Sequence, residues 1–158
     1  MRDGKLVVGV IGCGAFAWAQ DFQNFANNPH CISKYCCDLS LERAQAAAKQ
    51  FNVPYPTDDM YKVINDPEVD LIKISTSHEA HLPIIEAAAA KGKHIFCEKP
   101  MALHEMEAMA IIRAVRRHKV KLCVDMNRRM APSMQALRKA WLQQREQPRH
   151  QPWRYVEL

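Results

Sequence analysis

Residues 7–20 read VVGVIGCGAFAWAQ. An apolar run stops at Gly12, a second glycine follows at Gly14, and small Ala17 lies three further on. Each position has a physical use. Gly12 permits a tight turn, Gly14 lets a backbone approach a pyrophosphate, and Ala17 allows close helix-to-strand packing. Between them Cys13, Ala15 and Phe16 carry backbone N–H groups at a helix start, where free donors and the positive end of the helix dipole attract phosphate. Such a turn needs an acidic partner about 20 residues on, at the end of the next strand, and Asp38 stands there. A carboxylate in that place accepts hydrogen bonds from ribose hydroxyls and repels a 2′-phosphate, so the pattern predicts a dinucleotide, with NAD favoured over NADP. Two neighbours, Ser40 and Arg43, are of types that hold a 2′-phosphate, and Asp38 also suits the first turn of the following helix.

The elements that must position these residues are legible as alternation. KLVVGVIG (5–12) reads as a strand buried on both faces. From Ala15 the period changes, and Ala15, Ala19, Phe22 and Ala26 predict one helical face. CISKYCCD (31–38) is a strand, Ser40 an N-cap, and Leu41, Ala44, Ala48 and Phe51 a helical stripe. VPYPT is a connection or minor strand, and DDMYKVIND a short helix stopped near Pro67. VDLIKIST (69–76), KHIFCEK (93–99) and VKLCVDM (120–126) are further strands. Helices lie over 78–92, with Gly92 as its cap, and over 104–119 and 133–144. Strands alternating with helices imply an α/β fold, a Rossmann-type doubly wound parallel sheet whose strand C-termini share one ligand-binding edge.

The remaining chemistry is sparse. Six cysteines, Cys13, Cys31, Cys36, Cys37, Cys97 and Cys123, form no C-x-x-C pair. They predict reduced, mostly buried thiols, and no metal site is expected. The 158 residues carry a net charge of +5, concentrated in IRAVRRHKVK and RKAWLQQREQPRH. No aromatic side chains interleave with those charges, so a solvated face is favoured over a nucleic-acid surface. No apolar run approaches the roughly 20 residues of a membrane span, and the N-terminus lacks a signal-peptide core, so a cytoplasmic location is expected.

One further stretch, CEKPMALHEMEA (97–108), enters the helix after the fifth strand. Its Glu-Lys-Pro, with the glycine turn and STSHEAH (75–81) between them, resembles the Gfo/Idh/MocA oxidoreductases, which include glucose–fructose oxidoreductase and inositol dehydrogenase. The resemblance runs from Lys5 to about Pro132. It implies that Lys99 lies beside the nicotinamide and the substrate hydroxyl as the catalytic lysine, with Glu98 in the cofactor site. It implies also that the Lys99–Pro100 peptide is cis. STSHEAH is similar to the family's Thr-Pro-Asn-x-x-His loop: Thr76 and His81 match, while Ser77 and His78 replace Pro-Asn. Ser75, Thr76, Ser77 and His81 would then line the cofactor, with His81 equally suited to a core or capping role. NRRMAP (127–132) resembles the family's Arg-Phe-x-Pro stretch, with Arg129 near the cofactor or a domain interface.

The resemblance also implies a second α/β substrate domain, which is expected to be absent from these residues. A division into a dinucleotide-binding domain over 1–130 and a helix plus first strand of that second domain over 131–158 is therefore expected. The YVEL end is expected to seek a partner, across a homo-oligomer interface or otherwise. The reading that follows is the NAD-binding domain of an oxidoreductase acting on a sugar or polyol hydroxyl, with little turnover of its own. The alternative is a stand-alone, non-catalytic dinucleotide-binding module.

Overall fold

A computed structural model of the chain describes residues 1–145. The expected YVEL strand lies outside the described residues. The chain divides into two compact units, Met1–Asp125 and Met126–Leu158.

In the first unit six strands form one all-parallel sheet, in the order β3-β2-β1-β4-β5-β6. They are β1 (Leu6–Ile11), β2 (Cys31–Cys37), β3 (Tyr55–Thr57), β4 (Leu71–Ile74), β5 (His94–Cys97) and β6 (Leu122–Val124). Strand order reverses between β1 and β4, and in an open α/β sheet the crevice at such a switch point, at the carboxyl ends of the strands, takes the ligand. Both sheet faces are buried, as the apolar runs require. On one face Val7, Ile11, Ile72, Ile74 and Ile95 pack under α3 (Met60–Asn65), α4 (His81–Ala90) and α5 (Glu105–His118), which contribute Val63, Ile64, Ile84, Ile85 and Ile111. On the other, Val8 and Val10 pack with Phe22, Ala44, Ala47 and Ala48 from α1 (Phe22–Ala26) and α2 (Leu41–Phe51).

Local signals set the element ends. The Ser40 hydroxyl accepts the Arg43 N–H at the start of α2. Asp59 caps α3 in the same way through Tyr61. Gly92 follows α4 with φ 71°, the left-handed geometry that releases a chain from a helix. The strands are shorter than their apolar runs: the expected 69–76 reduces to Leu71–Ile74.

One predicted face is corrected. The helix after the glycine turn opens at Ala15 but runs as a π-helix over Ala17–Asp21 before α1. The Phe22 N–H reaches back five residues to the Ala17 carbonyl. That extra residue rotates the register, so Ala15, Ala19 and Ala26 are exposed while Ala17, Asp21 and Phe22 turn inward. A strict 3.6-residue period cannot reveal such a bulge, and π-bulges concentrate at functional sites.

The second unit holds a 3₁₀ turn, Asn127–Met130, and α6 (Pro132–Arg145). The Gln135 amide donates to the Arg129 carbonyl at 2.6 Å. Among the described residues no helix is long and apolar enough to cross a membrane.

Candidate cofactor site

The glycine turn forms at the end of β1. The Gly12 N–H donates to the Cys37 carbonyl at 2.7 Å, and Gly12 has φ 100°. A Cβ there would stand 2.4 Å from the Ser75 carbonyl oxygen, so only glycine lets β1 pass this close to the end of β4. Gly14 differs. It is exposed, and a Cβ placed on it would meet no atom within 4 Å. The space in front of Gly14 is thus open to a ligand, and the first turn of the helix from Ala15 faces it with N–H groups that have no intrahelical partner. Ala15 and Phe16 are exposed on that turn, whereas Cys13 and Ala17 are buried beneath it. The Cys13 thiol points toward the Cys37 carbonyl, at 3.5 Å. Hydrogen bonding to Cys36, burial and the nearby Asp38 charge hold this thiol protonated.

Asp38 ends β2 and braces the turn. Its Oδ2 accepts the Cys13 N–H at 2.8 Å. Its Oδ1 accepts the Ser40 N–H at 2.9 Å and two guanidinium bonds from Arg43, at 3.0 and 2.5 Å. Burial alone would raise the carboxyl, but these bonds outweigh it and keep Asp38 below the usual carboxylate range. Both expected roles of Asp38 therefore meet in one residue, because the same carboxylate holds the glycine turn and the N-terminus of α2. The Arg43 side chain is 59% exposed, against 8% for Asp38, so it lies over the carboxylate on the solvent side.

Across the switch point, the segment after β4 lies against Gly12. The Ser75 N–H donates to the Ile11 carbonyl at 2.8 Å, and its hydroxyl donates to Asp21. Thr76 is half-buried and Ser77 exposed, with the Ser77 carbonyl accepting the Ala80 N–H at 3.1 Å. His81 is fully buried. Its Nδ1 lies 3.0 Å from the Pro100 carbonyl and 3.3 Å from Cys97 Sγ. These contacts make the ring a strut beneath the Lys99–Pro100 loop. Burial holds the imidazole below its ordinary pKa, so the neutral ring donates from Nδ1 to Pro100. The Lys99–Pro100 peptide is cis, as the resemblance implies. Lys99 is exposed just after β5, and among the described residues its ammonium makes no hydrogen bond or ion pair.

Glu98 points inward, into a buried group of charges that sequence reading missed. Lys73 on β4 is wholly buried, and its ammonium lies 2.8 Å from Glu98, 3.0 Å from Asp125 and 3.2 Å from Asp21. The Glu98 Oε2 also accepts the Lys99 N–H at 3.3 Å. A lysine inside the apolar run DLIKIS was the available signal, since a charge between core positions must find partners there. Its partners come from three other elements, which no local pattern connects. Arg129 belongs to the second unit, exposed in the Asn127–Met130 turn.

The fold and the turn define a class: a dinucleotide-binding α/β domain with its ligand edge at the β1/β4 switch point. Residues 6–126 match the family described as oxidoreductase family, NAD-binding Rossmann fold (Gfo/Idh/MocA), and the chain belongs to it. An uncharacterized oxidoreductase, YrbE, of Bacillus subtilis is 34% identical over 134 residues, which are 85% of this chain and 39% of that protein. Inositol 2-dehydrogenase of Salmonella typhimurium is 31% identical over 69% of this chain and 33% of its own. Among solved structures, an NAD binding oxidoreductase from Klebsiella pneumoniae superposes with TM-score 0.78 at 28% identity, covering 88% of this chain and 39% of the other. A probable dehydrogenase from Thermotoga maritima gives TM-score 0.83 at 27% identity, over 87% and 41%. The chain thus spans about two fifths or less of these four relatives.

Proposed function

We propose that this chain is the cofactor-binding part of an oxidoreductase that moves hydride between a nicotinamide cofactor and a sugar- or polyol-type hydroxyl, and that NAD(H) is the preferred cofactor. The observation that carries the reading is the open space before Gly14, beside the Asp38 carboxylate held 2.8 Å from the Cys13 N–H. A pyrophosphate fits the first and a ribose diol the second, so the residues present suit the group. Gly12, Cys13, Gly14, Ala15, Phe16 and Ala17 would form the phosphate turn, Asp38 would hold the adenosine ribose, and Ser75, Thr76 and Ser77 would line the nicotinamide half. The nicotinamide supplies the hydride chemistry when bound.

Lys99 is the residue we assign to catalysis. Its exposed ammonium stands at the carboxyl end of β5, where it would orient a substrate hydroxyl and share its proton. Glu98 holds the backbone of Lys99 from below, and His81 holds Pro100. Arg129 remains a cofactor or interface residue by family resemblance alone. The sugar or polyol class rests on relatives such as the inositol 2-dehydrogenase and a D-apiose dehydrogenase of Paraburkholderia graminis.

Fluorescence titration with NADH and NADPH tests the cofactor claim. NADH is expected to bind more tightly, by about tenfold or more, the worth of roughly 1.4 kcal/mol. Replacing Asp38 with Ala should shrink that difference. Equal or tighter NADPH binding by the unaltered chain would overturn the preference, and failure to bind either would overturn the reading.

A further inference from the structure

The buried charges beneath Lys99 hold more negative than positive groups. Three carboxylates, Asp21, Glu98 and Asp125, surround one ammonium, Lys73, and each lies within 3.2 Å of its Nζ. One oxygen from each carboxylate lies within 4.8 Å of the others. Lys73 has no exposed surface, Asp21 and Glu98 are buried, and the Phe96 ring covers the ammonium at 4.3 Å. Three carboxylates on one cation in such a place leave a net negative charge with little access to solvent, and the usual relief is a retained proton. The groups facing the site are known from each packed element. The π-helical segment gives Asp21, the segment after β4 gives Ser75, which donates to Asp21, β5 gives Phe96, and the residue after β5 is Glu98. The residue after β6 is Asp125. The nearby Cys97 thiol is neutral, pushed up to about 12 by burial. Burial likewise raises both Asp21 and Glu98 from the ordinary carboxyl range. For Lys73, burial opposes the charge, but hydrogen bonds and charge from its carboxylate partners outweigh it, so the ammonium keeps its proton.

We propose that Asp21 and Glu98, packed with Asp125 around Lys73, form a proton-storing site, which keeps one proton at neutral pH in the cofactor-free protein and releases it to solvent when an oxidised nicotinamide binds. The proposal rests on the reading that the nicotinamide end of the cofactor lies at Lys99. Glu98 precedes Lys99 and bonds to its N–H, so the store lies directly below that place. The oxidised ring is positively charged, and a nearby positive charge favours ionised carboxylates. The reduced ring is neutral and exerts no such pull. Binding of NAD⁺ then strengthens as pH rises, by linkage, while binding of NADH does not.

Calorimetric titration of the whole chain at pH 7, in two buffers of different ionisation enthalpy, counts the protons. A substantial fraction of one proton should leave for each NAD⁺ bound and close to none for each NADH. Asp125→Asn, which removes one carboxylate without touching Lys99, should abolish the difference. Infrared spectra of the unaltered protein supply a second readout: a protonated carboxyl band should be present at pH 7, lost with NAD⁺ and kept with NADH. Equal proton release by both dinucleotides would overturn the coupling, and absence of the carboxyl band in the free protein would overturn the store. If neither dinucleotide binds, the functional reading falls, while the band still decides whether the proton is there.

Discussion

Two glycines one residue apart have different duties, and substitution separates them. At Gly12 an added methyl meets the Ser75 backbone at 2.4 Å, in a conformation with φ 100°. Neither backbone can yield, so Gly12→Ala should cost more than about 2 kcal/mol, within the range of strained or overpacked sites. Its melting temperature should fall by roughly 2–4 °C per kcal/mol for a domain of this size. At Gly14 an added side chain meets nothing. Gly14→Val should therefore stay within about 0.5–1 kcal/mol of the unaltered fold, yet lose NADH binding, read by circular dichroism melting and by fluorescence. Arg43 invites a similar separation. It lies over Asp38 on the solvent side, and if it also takes part in cofactor choice it would do so by pairing with a 2′-phosphate. Arg43→Ala should leave NADH affinity within about threefold and weaken NADPH further, because only the phosphate needs the cation. Unchanged NADPH affinity would remove Arg43 from cofactor choice. The turn and its carboxylate brace were readable from residue type and spacing, since Gly12, Gly14 and Asp38 lie in one contiguous βαβ unit. Lys73, Asp21 and Asp125 were not, because their meaning lies in a meeting of four separate elements.

Elements show the same division. Alternating apolar runs specify β1, β2, β4, β5 and β6, since strands buried on both faces need continuous apolar sequence. The capping residue Ser40 marks the start of α2 for an equally local reason. The π-helical turn at Ala17–Asp21 has no local signature, and it is this turn that aims Asp21 inward beside buried Phe22. Phe22 stacks on Phe51 at 5.0 Å, so Phe22→Ala should cost about 3–5 kcal/mol, the usual loss for a buried aromatic side chain. His81 offers a test through pH. It links the start of α4 to the loop after β5 by its bond to Pro100. Burial depresses its folded pKa below the unfolded value of 6.5. A depressed base binds fewer protons in the folded state, so its contribution is present above pH 6.5 and is lost as pH falls through the folded pKa. Asp21 and Glu98, with raised values, act in the opposite sense over the acid range. The useful quantity is therefore the difference between the chain and His81→Gln. Between pH 7.5 and 5 the unaltered chain should lose more stability than the variant, measured by thermal melting. Parallel curves would show that His81 does not titrate with unfolding.

At the scale of the molecule, the first unit is held by a sheet whose carboxyl edge also carries its buried carboxylates around Lys73. Gly12 and Ser75 meet at the β1/β4 switch point, Asp38 stands at the end of β2, and Glu98 and Asp125 follow β5 and β6. Strand order was implied by the alternation of strands and helices only as far as the doubly wound class. The order β3-β2-β1-β4-β5-β6 depends on which edge of the sheet each strand joins, which no local pattern states. A ligand that bridges this edge contacts loops from both halves of the sheet and so stabilises the folded state alone. Mass action gives the size of the effect: at a hundred times its dissociation constant, a ligand adds about 2.7 kcal/mol. For a domain of this length that is a rise of about 5–10 °C in melting temperature. NADH at saturating concentration is expected to produce it, and NADPH at the same concentration less. Gly14→Val, which keeps the fold, should show no rise with either. The comparison separates binding at the glycine turn from general stabilisation by a polyanion, because a polyanion attracted by the net charge of +5 would raise the melting temperature of both proteins equally. An equal rise in Gly14→Val would therefore place the dinucleotide elsewhere and overturn the site.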